Sequence, residues 1–115
     1  MSTQLLICIR TAPAPTLVTV TGEIDILTAP QLRHQILAIP DGDVVLDFSR
    51  VRLLAAAGVR ALLALHGHQA QTGARLVLAG PTPVVRRVLA VTGLYRTLVI
   101  TASAADAATF LATRG

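Results

Sequence analysis

The apolar positions change period several times along the chain, and each change predicts an element. Residues 4–10 (QLLICIR) are rich in Leu and Ile and predict a strand. The TAPAP run at 11–15 fits neither a strand nor a helix interior, because proline donates no backbone hydrogen bond, so it predicts a turn. In the following TLVTVTG, Val18 and Val20 share one face and Thr19 and Thr21 the other, the two-residue period of a strand. These two strands predict an antiparallel hairpin. From Thr28 the period lengthens: Leu32, Ile36 and Ile39 recur at helical spacing, ended by Pro40-Asp41-Gly42. Thr28-Ala29-Pro30-Gln31 has the form of a capping box, with proline in the first turn.

The rest of the chain alternates. VVLDF (44–48) is a nearly continuous apolar run, as in a strand buried on both faces. A second helix follows Ala55-Ala56-Ala57-Gly58, with Val59, Leu62, Leu63 and His66 as its expected apolar face and Gly73 as its stop. ARLVLAG predicts another buried strand. Thr82 can cap a third helix that has Pro83 at its start, a stripe of Val84, Val85, Val88 and Leu89, and Gly93 at its end. TLVIT predicts the last strand, and Ser103 opens a terminal helix with Phe110 and Leu111 facing inward. The order β-β-α-β-α-β-α-β-α predicts an α/β fold with a mixed, mostly parallel five-strand sheet and helices, in one domain spanning 1–115.

Composition narrows the function classes. The chain is 53% hydrophobic and 14% charged, enough for a sizeable core and too apolar for disorder. No apolar run reaches the roughly 18 residues of a membrane span, and no secretory leader is evident, so the expected location is cytoplasmic, without membrane insertion. All ten basic residues are arginine and the net charge is +4. The arginines are scattered and only 3% of residues are aromatic, which argues against nucleic-acid binding. Cys8 is the only cysteine, so there is no disulfide framework, and on a strand it reads as a small core residue.

Four segments, in order, carry a resemblance: Gly22-Glu23-Ile24-Asp25 after the second strand, Asp47-Phe48-Ser49-Arg50-Val51, Gly58-Val59-Arg60-Ala61-Leu62, and Thr92-Gly93-Leu94. With the element order, they make the chain similar, over about 4–111, to the STAS domain of bacterial anti-sigma-factor antagonists. The resemblance implies a noncatalytic protein-binding module whose partner is a kinase-like anti-sigma factor, with no cofactor; a homodimer is compatible with it. It also exposes a departure. The family pattern reads Asp-Ser-Ser-Gly where this chain has Ala55, Ala56, Ala57 and Gly58. By that correspondence Ala56 occupies the position of the serine that accepts phosphate from the partner kinase. A methyl group has no nucleophilic oxygen, so the resemblance implies a domain held in its unphosphorylated state.

The partner surface expected from the resemblance comprises Gly22, Glu23, Asp25, Arg52, Ala55, Ala56, Ala57, Gly58 and Arg60, with the exposed side of the second helix. Arg50, Arg52 and Arg60 suggest an acidic patch on the partner. Two alternatives are a STAS subunit or scaffold of a larger sensory or transporter-associated complex, and a small-anion sensor using the amides of the Ala55–Gly58 turn with Arg52 or Arg60. Other candidates have simpler readings. Glu23 and Asp25 hydrogen-bond a loop, Asp47 bonds the turn after it, and Ser49 is a turn serine. His66 and His68 lie two apart on a helix and so do not face one another, and no further ligand lies nearby, which argues against a metal site. No nucleophile–base–orienter set is visible, so no enzyme is expected.

Overall fold

Strand alternation in the second strand sets the two sides of the sheet. The computed structural model describes residues 5–113. Its strands are β1 (Leu5–Arg10), β2 (Thr16–Ile24), β3 (Val44–Leu54), β4 (Leu76–Ala79) and β5 (Val99–Thr101). Its helices are α1 (Ala29–Leu37), α2 (Ala56–Thr72), α3 (Pro83–Thr92) and α4 (Ala104–Ala112), with a 3-10 turn at Leu94–Arg96. In β2 every second residue, Thr16, Val18, Val20, Gly22 and Ile24, is buried, and those between are partly buried. The sheet runs β1-β2-β3-β4-β5. β1 is antiparallel to β2, and every other pairing is parallel. This is the mixed α/β sheet that the sequence predicts.

One apolar cluster joins α1, α2 and α3 to the sheet through Val18, Val20, Ile24, Leu32, Ile36, Leu46, Phe48, Leu62, Leu65, Val85 and Leu89. Fully burying a side chain of this size contributes about 1.5–3 kcal/mol, so this cluster dominates stability. A smaller cluster on the opposite side packs α4, through Ala107 and Leu111, on Val45, Val77 and Ala79. Phe110 is only partly buried there. At the sheet end away from the α1–α2 turns, Asp43 accepts from the backbone N–H and the guanidinium of Arg75 at 2.8 and 2.9 Å.

Several local expectations are corrected. Thr28 does begin α1, but its side chain makes no capping bond to the helix, so there is no capping box. Its hydroxyl is bound to Glu23 and Asp25, and Gln31 Nε2 donates instead to the Leu5 carbonyl at 3.1 Å, tying α1 to β1. In α2 the buried stripe is Gly58, Ala61, Leu62, Leu65 and Gln69, while Leu63 is exposed. Gln69 is buried because its Nε2 donates to the carbonyls of Gly42 and Arg75, at 2.8 and 3.1 Å. In α3 only Val85 and Leu89 are buried, and Val84 is exposed. Cys8 is exposed, not a core residue. It pairs with Thr19, opposite in direction to Val18 and Val20, and so points to the side that α4 covers only over the central strands. The stops and the other caps stand as expected: Gly73 and Gly93 end their helices in the left-handed conformation, and Thr82 and Ser103 accept from the amides of Val85 and Asp106.

Candidate functional site

β2 and β3 end together, and that end carries the residues of interest. Both strands run further than their apolar patterns suggest: β2 includes Gly22-Glu23-Ile24, and β3 continues through Arg52 to Leu54. Gly22 lies beside Val51, Glu23 beside Leu53 and Ile24 beside Leu54, with a register shift between Gly22 and Glu23. Gly22 has φ +126°, a conformation that glycine adopts without strain, so the shift is accommodated there. The Ala55 amide then donates to the Ile24 carbonyl at 2.8 Å, closing the pair of strands just before α2 begins.

α2 starts directly on this closure. Ala55 is its extended N-cap residue, with ψ 174°, and no side chain caps the helix. Ala56 is exposed at the first helical position, Ala57 is half-buried and Gly58 is buried. A Cβ on Gly58 would sit 2.5 Å from Leu54 Cδ1 and 2.7 Å from Ile24 Cγ2. Only glycine allows the first turn of α2 so close to the ends of both strands. That seating fixes the helix phase: three, four, seven and eleven residues beyond Gly58 come Ala61, Leu62, Leu65 and Gln69, the stripe observed.

Across from α2, Asp25 organises the turn from β2 into α1. Its Oδ1 accepts from the amides of Leu27 and Thr28 at 2.9 and 3.0 Å, and its own amide donates to Thr28 Oγ1 at 2.9 Å. The Thr28 hydroxyl donates in turn to the Glu23 carbonyl at 2.8 Å. Asp25 is therefore a loop-forming residue, as expected, whereas Glu23 lies within β2 and meets the turn through its backbone carbonyl. The turn it holds presents Ile26 and Leu27, each 73% exposed. Between α1 and α2 lies an open groove of about 600 Å³, floored by the buried Ala29 and Ala61 and the half-buried Ala57, with exposed Pro30 also lining it.

The structure thus brings Gly22, Glu23, Asp25 and Ala55–Gly58 to one end of the sheet. Arg60 is exposed one turn along α2 and lines the groove, whereas Arg52 is exposed on β3. Ile26, Pro30, Arg33, His34 and Leu37 also line the groove, and the sequence reading does not single them out. The adjacent Ile26-Leu27 pair was the available signal, since two aliphatic residues in a turn are costly unless something covers them. Asp47 Oδ1 accepts from the Ser49 amide at 3.0 Å, a local bond as expected, but β3 continues through Leu54, so no turn follows Asp47 and Ser49 is an exposed strand residue rather than a turn serine. Among the described residues no group of three or more His, Cys, Asp or Glu could hold a metal ion, and no helix is long and apolar enough to cross a membrane.

A family model described as "Mlab, STAS domain" matches residues 7–101. The chain is a STAS domain. Among solved structures, the STAS domain is similar to an anti-sigma factor antagonist from Mycobacterium paratuberculosis, with 28% identity, a TM-score of 0.83 and 92% of each chain covered. It shares its fold with the anti-sigma factor antagonist SpoIIAA in its unphosphorylated form, at 22% identity and TM-score 0.73, covering 96% of both chains. It also shares it with the phosphorylated form of the Bacillus cell fate determinant SpoIIAA, at 19% identity and TM-score 0.69, covering 92% of this chain and 99% of that one. Among curated proteins, none matches the chain significantly by sequence.

Proposed function

We propose that this STAS domain is a noncatalytic binding module of the anti-sigma-factor-antagonist type, which engages a kinase-like anti-sigma factor in the cytoplasm and is not switched by phosphorylation. The observation that carries the reading is Ala56. It stands exposed at the first position of α2, where a partner enzyme has access, and neither it nor its two alanine neighbours has a hydroxyl. The frame around it is retained: Gly58 seated on Ile24 and Leu54, and the Asp25 turn opposite. A phosphate at a helix N-terminus adds about −1.5 to −2 charges and reorganises the local field. With no acceptor oxygen, the partner's kinase activity has nothing here to act on, and the complex persists in ATP.

A second reading, a STAS subunit or scaffold of a larger sensory or transporter-associated complex, rests on the STAS family match over residues 7–101. Affinity capture from the native cytoplasm, with mass spectrometry of the retained proteins, separates the two. Recovery of a kinase-like anti-sigma factor in stoichiometric amount supports the first reading. Recovery of transporter or sensor subunits without such a factor replaces it with the second.

A further inference from the structure

The groove between α1 and α2 carries a charge pattern that the family assignment does not supply. Its floor is apolar, and Ile26 and Leu37 stand exposed at its sides. Three basic side chains line it: Arg33 and His34 from α1, and Arg60 from α2. All three are exposed, so the two guanidinium charges and the imidazole face solvent or a partner. Among the described residues no acidic side chain lines the groove. The six acidic residues lie elsewhere or are engaged: Asp25 holds its own turn, Asp43 pairs with Arg75, Asp47 bonds the Ser49 amide, and Glu23, Asp41 and Asp106 do not line it.

We propose that this groove docks an acidic, amphipathic segment of the protein partner, in which one or two aliphatic side chains enter the apolar floor and flanking carboxylates meet Arg33, His34 and Arg60. The proposal rests on the binding-module reading above and names the partner's chemistry. A groove between two helices with an apolar floor suits a short amphipathic helix, which lays an apolar stripe inward and keeps its charges at the rim. Arginine at that rim favours carboxylates, because its planar fork bonds both oxygens of one group. A second copy of this chain fits poorly. In a two-fold dimer through this face the same patch meets itself, so the Arg33 and Arg60 guanidinium groups of one copy would lie against those of the other. A nucleic acid would use the arginines but leave the apolar floor uncovered.

Selection of a random 14-residue peptide library against the whole purified protein tests this and does not require the partner itself. The selected peptides should combine Asp or Glu with Leu, Ile or Phe, and should shift the amide resonances of α1 and the first turns of α2. Affinity should fall at least about tenfold in the Arg33→Glu/Arg60→Glu variant, since like charges then face each other at the rim. It should also weaken with added salt, as exposed pairs are screened beyond roughly 8 Å at physiological ionic strength. Circular dichroism of the variant, whose changed side chains are both exposed, establishes that it folds. Neutral or basic peptides, shifts confined to another face, no enrichment at all, or equal binding by the variant would each overturn the proposal. So would a 20-base-pair DNA duplex that competes for the groove as well as the peptides do. The two readings fail separately. An anti-sigma factor captured by the Arg33→Glu/Arg60→Glu variant as well as by the wild type would sink the groove proposal alone. Acidic peptides held in the groove, with no anti-sigma factor recovered, would sink the functional reading alone.

Discussion

The amide of Ala55 and the carbonyl of Ile24 lie 2.8 Å apart, and this single bond places the start of α2 against the end of β2. It brings together, at one end of the sheet, segments whose bonded residues lie thirty-one apart in the chain. It also leaves Ala55 extended, in the conformation of an N-cap, with a side chain that cannot cap.

Ala55→Asp should therefore stabilise the fold. A carboxylate at this position accepts from the first-turn amides and favours the positive end of the helix, which together contribute about 0.5–2 kcal/mol. Urea denaturation followed by circular dichroism measures it. An unchanged or lower midpoint would mean that the first turn of α2 has no room for the cap.

Gly58→Ala should do the opposite, although alanine is the better helix former by about 1 kcal/mol. The new Cβ would meet Leu54 and Ile24, both buried, at contact distances no real side chain tolerates. Overpacking of this kind costs typically 1–3 kcal/mol. The same denaturation experiment should show a net loss, and a gain would show that α2 can lift off the strand ends freely.

Thr28→Val keeps the shape of a side chain that is only 4% exposed and removes its hydroxyl. The Glu23 carbonyl and the Asp25 amide then lose their partner, at a cost of about 1–3 kcal/mol. Amide exchange at Asp25 should accelerate with the loss of stability. Wild-type exchange rates there would mean that water replaces the hydroxyl without penalty.

Most of the architecture was legible because it rests on period. The two-residue alternation of Val18 and Val20, the unbroken VVL of β3 and the glycines after α2 and α3 each act locally. What was misread depends on partners far away in the chain. Thr28 has the sequence of a capping residue, yet its hydroxyl is taken by Glu23 and Asp25, and Gln31 is drawn off to Leu5 on the hairpin. The face of α2 was displaced because a glycine, with no side chain to count as apolar, sets its phase through contact with Ile24 and Leu54. Cys8 reads as core by type, but β1 is an edge strand and Cys8 faces its thinly covered side. At the candidate site, the alanine turn before α2 was legible through the resemblance, whereas the ends of β2 and β3 lie further along the chain than the apolar pattern placed them. The groove was not legible, because Arg33, His34 and Leu37 acquire meaning only when α1 lies beside α2.

The central claim, that the binding frame persists while its phosphoacceptor is gone, is tested most directly by restoring the acceptor. Wild type and the Ala55→Asp/Ala56→Ser variant are each incubated with the kinase-like anti-sigma factor recovered with the protein and with labelled ATP. The wild type should take up no phosphate and should stay in the complex. The double variant should be labelled at position 56 and its complex should weaken, because a phosphate of about −2 beside an acidic partner adds repulsion. Label on the wild type, mapped to Ser49 or another hydroxyl, would contradict the account by showing that the switch had moved. A double variant that binds the kinase yet stays unlabelled would contradict it as well, since the frame around position 56 would then have diverged along with the acceptor.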